Sequence, residues 1–255
     1  MKKLIKTLLV ATALTTAVGF TSIEAAPAGT TKNIVLVHGA FADGSGWKAV
    51  AEILRKRGFN VSIVQPPETS LEDDVAATNR VLDGLDGPAV LVGHSYGGMI
   101  ISEAGNNSHV ESLVYIAALA PDVGESAGQL LSSKPAATNF IVPSKDGFLT
   151  ILPAHFQDAF AADLPKAEAE FMAASQVATS GKALSTGAIS PAWKTKPSFA
   201  VVAKNDRSIN PDLERSMYAR AHSKTTEIVA SHAVYISQPE AVAKVIEQAA
   251  AAATQ

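Results

Sequence analysis

Six short β-branched runs punctuate the chain: NIVLVHG (33–39), NVSIVQPP (60–67), PAVLVGHS (88–95), VESLVYIAAL (110–119), SFAVVAKND (198–206) and TTEIVAS (225–231). Several are continuously apolar rather than alternating, the pattern of parallel strands buried on both faces. Helical patterns lie between them. Trp47, Val50, Ala51 and Leu54 recur at helical spacing before Gly58, a natural stop. Ser70 is placed to cap SLEDDVAATNRVLDGL, with Glu72, Asp73 and Asp74 at its positive end. NPDLERSMYARA and QPEAVAKVIEQAAAAAT open on Asn-Pro and Gln-Pro, a helix-start signature. This alternation predicts an α/β fold, a mostly parallel central sheet with helices on both faces. At 255 residues, 47% of them hydrophobic, the chain can bury one substantial core.

The rhythm breaks between residues 121 and 196. No strong strand signal occurs there, and HFQDAFAADLPKAEAEFMAAS reads as helix in pieces separated by Pro153 and Pro165. So long a stretch is too much for a plain loop, so an inserted helical cap is expected. The core is then divided into residues 26–120 and 197–255.

The amino terminus has a different character. MKKLIKTLLVATALTTAVGF places Lys2, Lys3 and Lys6 ahead of an uncharged run, and small residues follow. That is the layout of a cleavable export signal, assigned to residues 1–25; cleavage after Ala25 or after Ala28 fits equally. The run is too interrupted by threonine for a comfortable membrane span, so no stable membrane anchor is expected, and the mature chain belongs in the periplasm or medium. Removing Lys2, Lys3, Lys6 and Glu24 takes the net charge from −3 to −5. An acidic body of this kind offers no electrostatic footprint for nucleic acid. The chain has no cysteine, so no disulfide or thiolate metal site is available.

The chemistry centres on LVGHSYGGMI, residues 91–100, where Ser95 stands between Gly93 and Gly97. A strand signal precedes it and a helix start follows. Strand, sharp turn and helix with serine at the apex form a nucleophile elbow, and Gly98 permits close helix packing. A serine hydroxyl needs a base. Of the six histidines, His38 and His94 lie inside structural loops, His109 and His155 in surface or cap contexts, and His222 at a helix end. His232 stands in a loop after a strand and late in the chain, where open α/β sheets carry their chemistry, and it is the expected base. Asp206, at the end of SFAVVAKND, is the expected orienting acid. Asp122 is the runner-up, and Asp212 reads as a first-turn helix residue. The backbone N–H groups of Tyr96 and Ala40 are the expected oxyanion donors, the latter in the open loop VLVHGAFADGSGW. Phe41, with Phe148, Phe156 and Phe160 from the cap, is expected to line a substrate pocket. No cluster of metal ligands accompanies the serine, so no metal is expected.

These motifs resemble the first loop, elbow, acid loop and histidine loop of the α/β-hydrolase superfamily: LVHGAFADGSGW, LVGHSYGGMI, VVAKNDRSI and SHAVYISQPEAV. Within it the chain resembles the branch of plant methylesterases and hydroxynitrile lyases, with their bacterial hydrolase relatives. The resemblance covers the whole mature chain and implies an eight-stranded type of sheet, a helical cap after YIAALAPD and cofactor-free chemistry. Two positions depart from the lyases, which carry threonine where this chain has Gly39 and lysine where it has Ala233. The leading expectation is an exported serine hydrolase acting on small to medium esters. Amide or lactone hydrolysis, perhydrolysis, C–C cleavage or lyase chemistry on the same triad is the alternative, as is a ligand-binding protein of the same fold.

Overall fold

The computed structural model describes residues 31–252, so the expected export signal lies outside it. All six apolar runs are strands of one parallel sheet: β1 (Asn33–Val37), β2 (Asn60–Val64), β3 (Ala89–His94), β4 (Val110–Ile116), β8 (Ser198–Ala203) and β9 (Lys224–Ile228). Their order is β2-β1-β3-β4-β8-β9. The eight strands implied by family resemblance are corrected to six among the described residues. Among the described residues, the remaining strands are two to four residues long and form a sheet of their own.

Alternate residues of the central strands feed two separate cores. Ile34, Leu36, Val90, Val92, Val114 and Ile116 pack beneath α1 (Lys48–Lys56) and α10 (Pro239–Ala252). Val35, Val37, Leu91, Leu113 and Tyr115 pack on the opposite face, against α2 (Leu71–Leu82), α3 (Gly97–Ala104) and α8 (Pro211–Arg220). Apolar side chains at successive positions are therefore required, because both pleat faces are covered. The edge strands β2 and β9 are largely half-buried or exposed, in keeping with Asn60, Ser62, Thr225 and Glu227.

Helix ends follow the sequence signals. The Ser70 hydroxyl accepts the Asp73 N–H at 3.1 Å, and Asn210 caps α8 with Pro211 in its first turn. The insertion departs from its purely helical expectation. Alongside α4 (Ala127–Ser133), α5 (Phe156–Phe160), α6 (Lys166–Ser175) and α7 (Gly181–Ser185), it holds a small antiparallel sheet of β5 (Ile141–Pro143), β6 (Phe148–Ile151) and β7 (Thr179–Ser180). Strands of two to four residues are too short to show a period-two pattern, and Gly147 turns the chain between the first two. The remaining short helix, α9 (Val234–Ser237), follows the loop after β9.

Candidate active site

The order of strands reverses direction between β1 and β3, since β2 lies to one side of β1 and the later strands to the other. A crevice forms at such a switch point, at the carboxyl ends of the strands. The chain enters it at Ser95, between β3 and α3, with φ +54°. That left-handed conformation is uncommon outside glycine and marks an imposed turn. The turn is tight enough that a Cβ on Gly93 would sit 2.5 Å from the Gly97 carbonyl oxygen. The opening between the two glycines is thus a steric requirement.

Ser95 Oγ lies 2.9 Å from His232 Nε2, and His232 Nδ1 lies 2.6 Å from Asp206 Oδ2. His232 and Asp206 are both buried. The other Asp206 oxygen accepts the N–H groups of Ser208 at 2.7 Å and Ile209 at 2.8 Å. With the carboxylate facing Nδ1, the proton resides there, and Nε2 is left with a lone pair directed at the serine hydroxyl. Asp122, the other candidate acid, instead pairs with Lys194 at 2.7 Å on the surface, which holds its carboxyl below the usual range. Asp212 pairs with Arg215.

Two buried groups flank this relay. His94 is fully buried, its ring 4.6 Å from that of His232, and its Nε2–H donates to the His232 carbonyl at 2.9 Å. Burial, then the neighbouring His232, push its proton affinity well down, so it is a neutral support for the histidine loop. Glu214, also fully buried, accepts the Ala203 N–H at 3.1 Å. Burial first, then the Asp206 charge and a hydrogen bond to it, raise the Glu214 carboxyl well above its ordinary range.

Ala40 and Tyr96 both border the cavity above Ser95. Among the described residues, neither backbone N–H has an acceptor. A pair of unengaged donors beside a nucleophile is the arrangement that stabilises an oxyanion. A Cβ on Gly39 would lie 2.6 Å from both the His94 carbonyl oxygen and Ser95 Cβ. The first loop therefore rests directly on the elbow.

The cavity is about 60 Å³ and nearly all apolar, with no Lys, Arg, Asp or Glu in its wall. Phe41 and Phe160 line it, and Phe160 stands edge-on to the His232 ring at 4.7 Å. Phe148 and Phe156 lie outside the lining. In β6 it is Ile151 that faces the cavity, and a residue three positions away in a strand points to the other side. Phe156 is fully buried behind Phe160, ring on ring at 5.1 Å. Other cap residues, Phe140, Ile151 and Leu184 among them, line the cavity alongside Phe160.

The insertion is fastened to three of the loops that carry site chemistry. Ser208 Oγ donates to the Ala159 carbonyl at 2.8 Å beside the acid. In the histidine loop, Ala233 N–H donates to the Phe160 carbonyl at 3.0 Å and Ser231 N–H to Asp163 at 3.0 Å. In the first loop, Phe41 N–H donates to Thr179 Oγ1 at 3.3 Å. Thr179 and Asp163 escaped the sequence reading, because polar residues in an insertion carry no motif, and Ser208, in the acid loop VVAKNDRSI, carries no local mark of its bond to the insertion. Their only signal is spatial.

An open parallel sheet with a serine elbow at its switch point, a strand-end acid and a late histidine defines a class of α/β enzymes. The chain belongs to the alpha/beta hydrolase family, whose sequence profile matches residues 34–245. It is 26% identical over 249 residues to the alpha/beta hydrolase nvfD of Aspergillus novofumigatus (strain IBT 16806), covering 87% of this chain and 98% of that one. It is 34% identical over 115 residues to a carbendazim hydrolyzing esterase of Nocardioides sp. (strain SG-4G), covering 39% of this chain and 47% of the relative. The crystal structure of a pyrethroid hydrolase from Sphingobium faniae JZ-2 shares the fold at TM-score 0.75 and 23% identity, over 88% of this chain and 98% of the other.

Proposed function

We propose that this protein is a serine esterase that cleaves small, uncharged carboxylic esters through an acyl-enzyme. The observation that carries this reading is the continuous relay Ser95–His232–Asp206 beside two unengaged N–H groups. In it, Ser95 Oγ attacks the ester carbonyl while His232 Nε2 takes the hydroxyl proton. The tetrahedral oxyanion is held by the N–H groups of Ala40 and Tyr96. Collapse expels the alcohol, which receives the proton from Nε2. Water then attacks the acyl carbon as His232 Nε2 takes its proton, and His232 returns that proton to Ser95 Oγ as the acid leaves. Asp206 holds the imidazole in the tautomer that permits both transfers and stabilises the imidazolium between them.

The cavity supports the substrate class. Its wall offers no cation to a substrate carboxylate and no anion to an amine. A space of about 60 Å³ suits a short acyl group. Lyase chemistry is disfavoured at both positions of departure. A side chain at Gly39 would collide with the elbow, and Ala233 is fully buried with no cation in its place. The amino-terminal segment supports export, testable by sequencing the first residues of native material; an intact Met1 would refute it. No metal or cofactor has a part in this reading, and the partner is a small-molecule ester.

The deciding experiment is hydrolysis of p-nitrophenyl acetate, butyrate and longer esters by the pure mature protein and by Ser95→Ala. The variant should fold normally and lose on the order of 10⁶-fold in turnover. Retention of more than a few per cent of activity would remove Ser95 from the nucleophile's role.

A further inference from the structure

Glu68 is fully buried, yet the relay of proton transfers makes no use of it. It lies in the segment ahead of α2 with φ +56°, a backbone conformation that a glutamate adopts only when its surroundings impose it. Its polar groups reach the cap twice, the first loop once and Asp74 once. One carboxylate oxygen accepts the Thr179 hydroxyl from the cap, and that hydroxyl oxygen in turn accepts the Phe41 N–H at 3.3 Å. The other carboxylate oxygen is 3.4 Å from His38 Nδ1, in the same first loop. The backbone carbonyl accepts the Ser180 N–H at 2.8 Å, a second link to the cap. The backbone N–H donates to Asp74 at 2.6 Å, and the far oxygen of Asp74 accepts the Tyr96 hydroxyl at 2.8 Å.

The two proposed oxyanion donors, Ala40 and Tyr96, stand on different loops, and each adjoins this network. Ala40 is flanked by Gly39 and Phe41, whose neighbours Thr179 and His38 both end on Glu68. Tyr96 reaches the same residue through Asp74. Phe41 is itself left-handed at φ +63°, so the first loop is held in shape by outside contacts rather than by its own preference.

We propose that Glu68 is a positioning residue that fixes the Ala40 and Tyr96 donors relative to one another and couples both to the cap through Thr179. This rests on the serine-esterase reading above for its kinetic consequence, but not for the mechanical tie itself. A shift of about 1 Å in a donor is enough to lower a rate on the order of 10²-fold, so the tie has a measurable effect on chemistry.

The test uses four variants of the mature protein. Thr179→Val keeps the shape and removes the hydroxyl, and Thr179→Ser restores it. Glu68→Leu removes the acceptor, and Glu68→Gln keeps one. Amide hydrogen exchange read on residues 39–42 should quicken in Thr179→Val and Glu68→Leu and stay near wild type in Thr179→Ser. In p-nitrophenyl ester hydrolysis the two disruptive variants should lose about 10- to 100-fold in kcat with KM within about threefold, and the two conservative ones should recover most of it. Unchanged exchange in Thr179→Val and Glu68→Leu overturns the tie. So does a lower melting temperature accompanied by wild-type kcat, the mark of a merely structural role. If exchange quickens as expected while ester turnover survives Ser95→Ala, the tie stands and the serine-esterase reading fails.

Discussion

The Asp206 carboxylate divides its two oxygens between different tasks, and this decides what its amide analogue would do. Oδ1 takes two backbone N–H groups and Oδ2 faces His232 Nδ1. In Asp206→Asn the amide oxygen must stay with the N–H pair, which turns the NH₂ toward Nδ1. Nδ1 then has to accept, the ring proton moves to Nε2, and Ser95 loses its base. Turnover should fall about 10⁴-fold with substrate binding little changed. A mild loss here together with a severe one in Asp122→Asn would transfer the acid's role.

His94 and Glu214, on either side of the same relay, make opposite contributions to pH dependence. His94 is held neutral by burial and takes up a proton near 6.5 only when the chain unfolds. The unfolded state then binds more protons, so this contribution to stability falls as pH drops below 6.5. Glu214 keeps its proton in the fold, whereas its ordinary value is 4.5. Here the unfolded state binds fewer protons, and the contribution declines as pH rises above 4.5 toward the raised folded value. Denaturant titrations at pH 5 and pH 8 should show His94→Gln gaining on wild type at the acid end. Glu214→Gln should gain at the alkaline end. Parallel stability profiles for all three proteins would refute both assignments.

At the scale of elements, the core strands and the loops that bring Ser95, Asp206 and His232 together were readable because local signals agreed with the global fold. PAVLVGHS predicts β3 and its elbow, and SFAVVAKND predicts β8, which ends at Ala203 and leaves Asp206 three residues beyond it in the loop, each from an apolar run that stops at a polar residue. The cap was readable only as an insertion. Which of its residues reach the cavity depends on strands of two to four residues whose pairing no periodicity announces. Phe148 and Ile151 differ in accessible face rather than in hydrophobicity, so composition alone favoured the larger residue. Glu68 and Thr179 are 111 positions apart, and no short motif links them.

The same geometry separates two cap substitutions. Leu184→Ala enlarges the cavity wall and should move the acyl-chain optimum to longer esters, at about 0.8 kcal/mol per methylene newly buried. Phe156→Ala, one layer back, should cost about 3–5 kcal/mol of stability and leave the optimum in place. A chain-length series on both variants, with denaturant titrations alongside, distinguishes the two roles. A shifted optimum in Phe156→Ala would bring its ring back into the wall.

Across the whole molecule, the two cores share one sheet, so the ends of β3 and β8 that lead to Ser95 and Asp206 are fixed by packing on both faces at once. His232 instead follows the exposed edge strand β9, and its loop is held by His94 and the insertion. Over this rigid edge the insertion is bonded to the acid loop, the histidine loop and the first loop separately. Swinging it away as a hinged cover would break contacts to all three, dismantling the proposed catalytic arrangement in the act of exposing it. Such a protein gains nothing from an oil–water boundary. Its rate on a sparingly soluble ester such as tributyrin should rise smoothly with dissolved concentration and level off at saturation. An abrupt increase once droplets form would mean that the fastenings open at an interface. Without one, the protein acts on single molecules taken from solution.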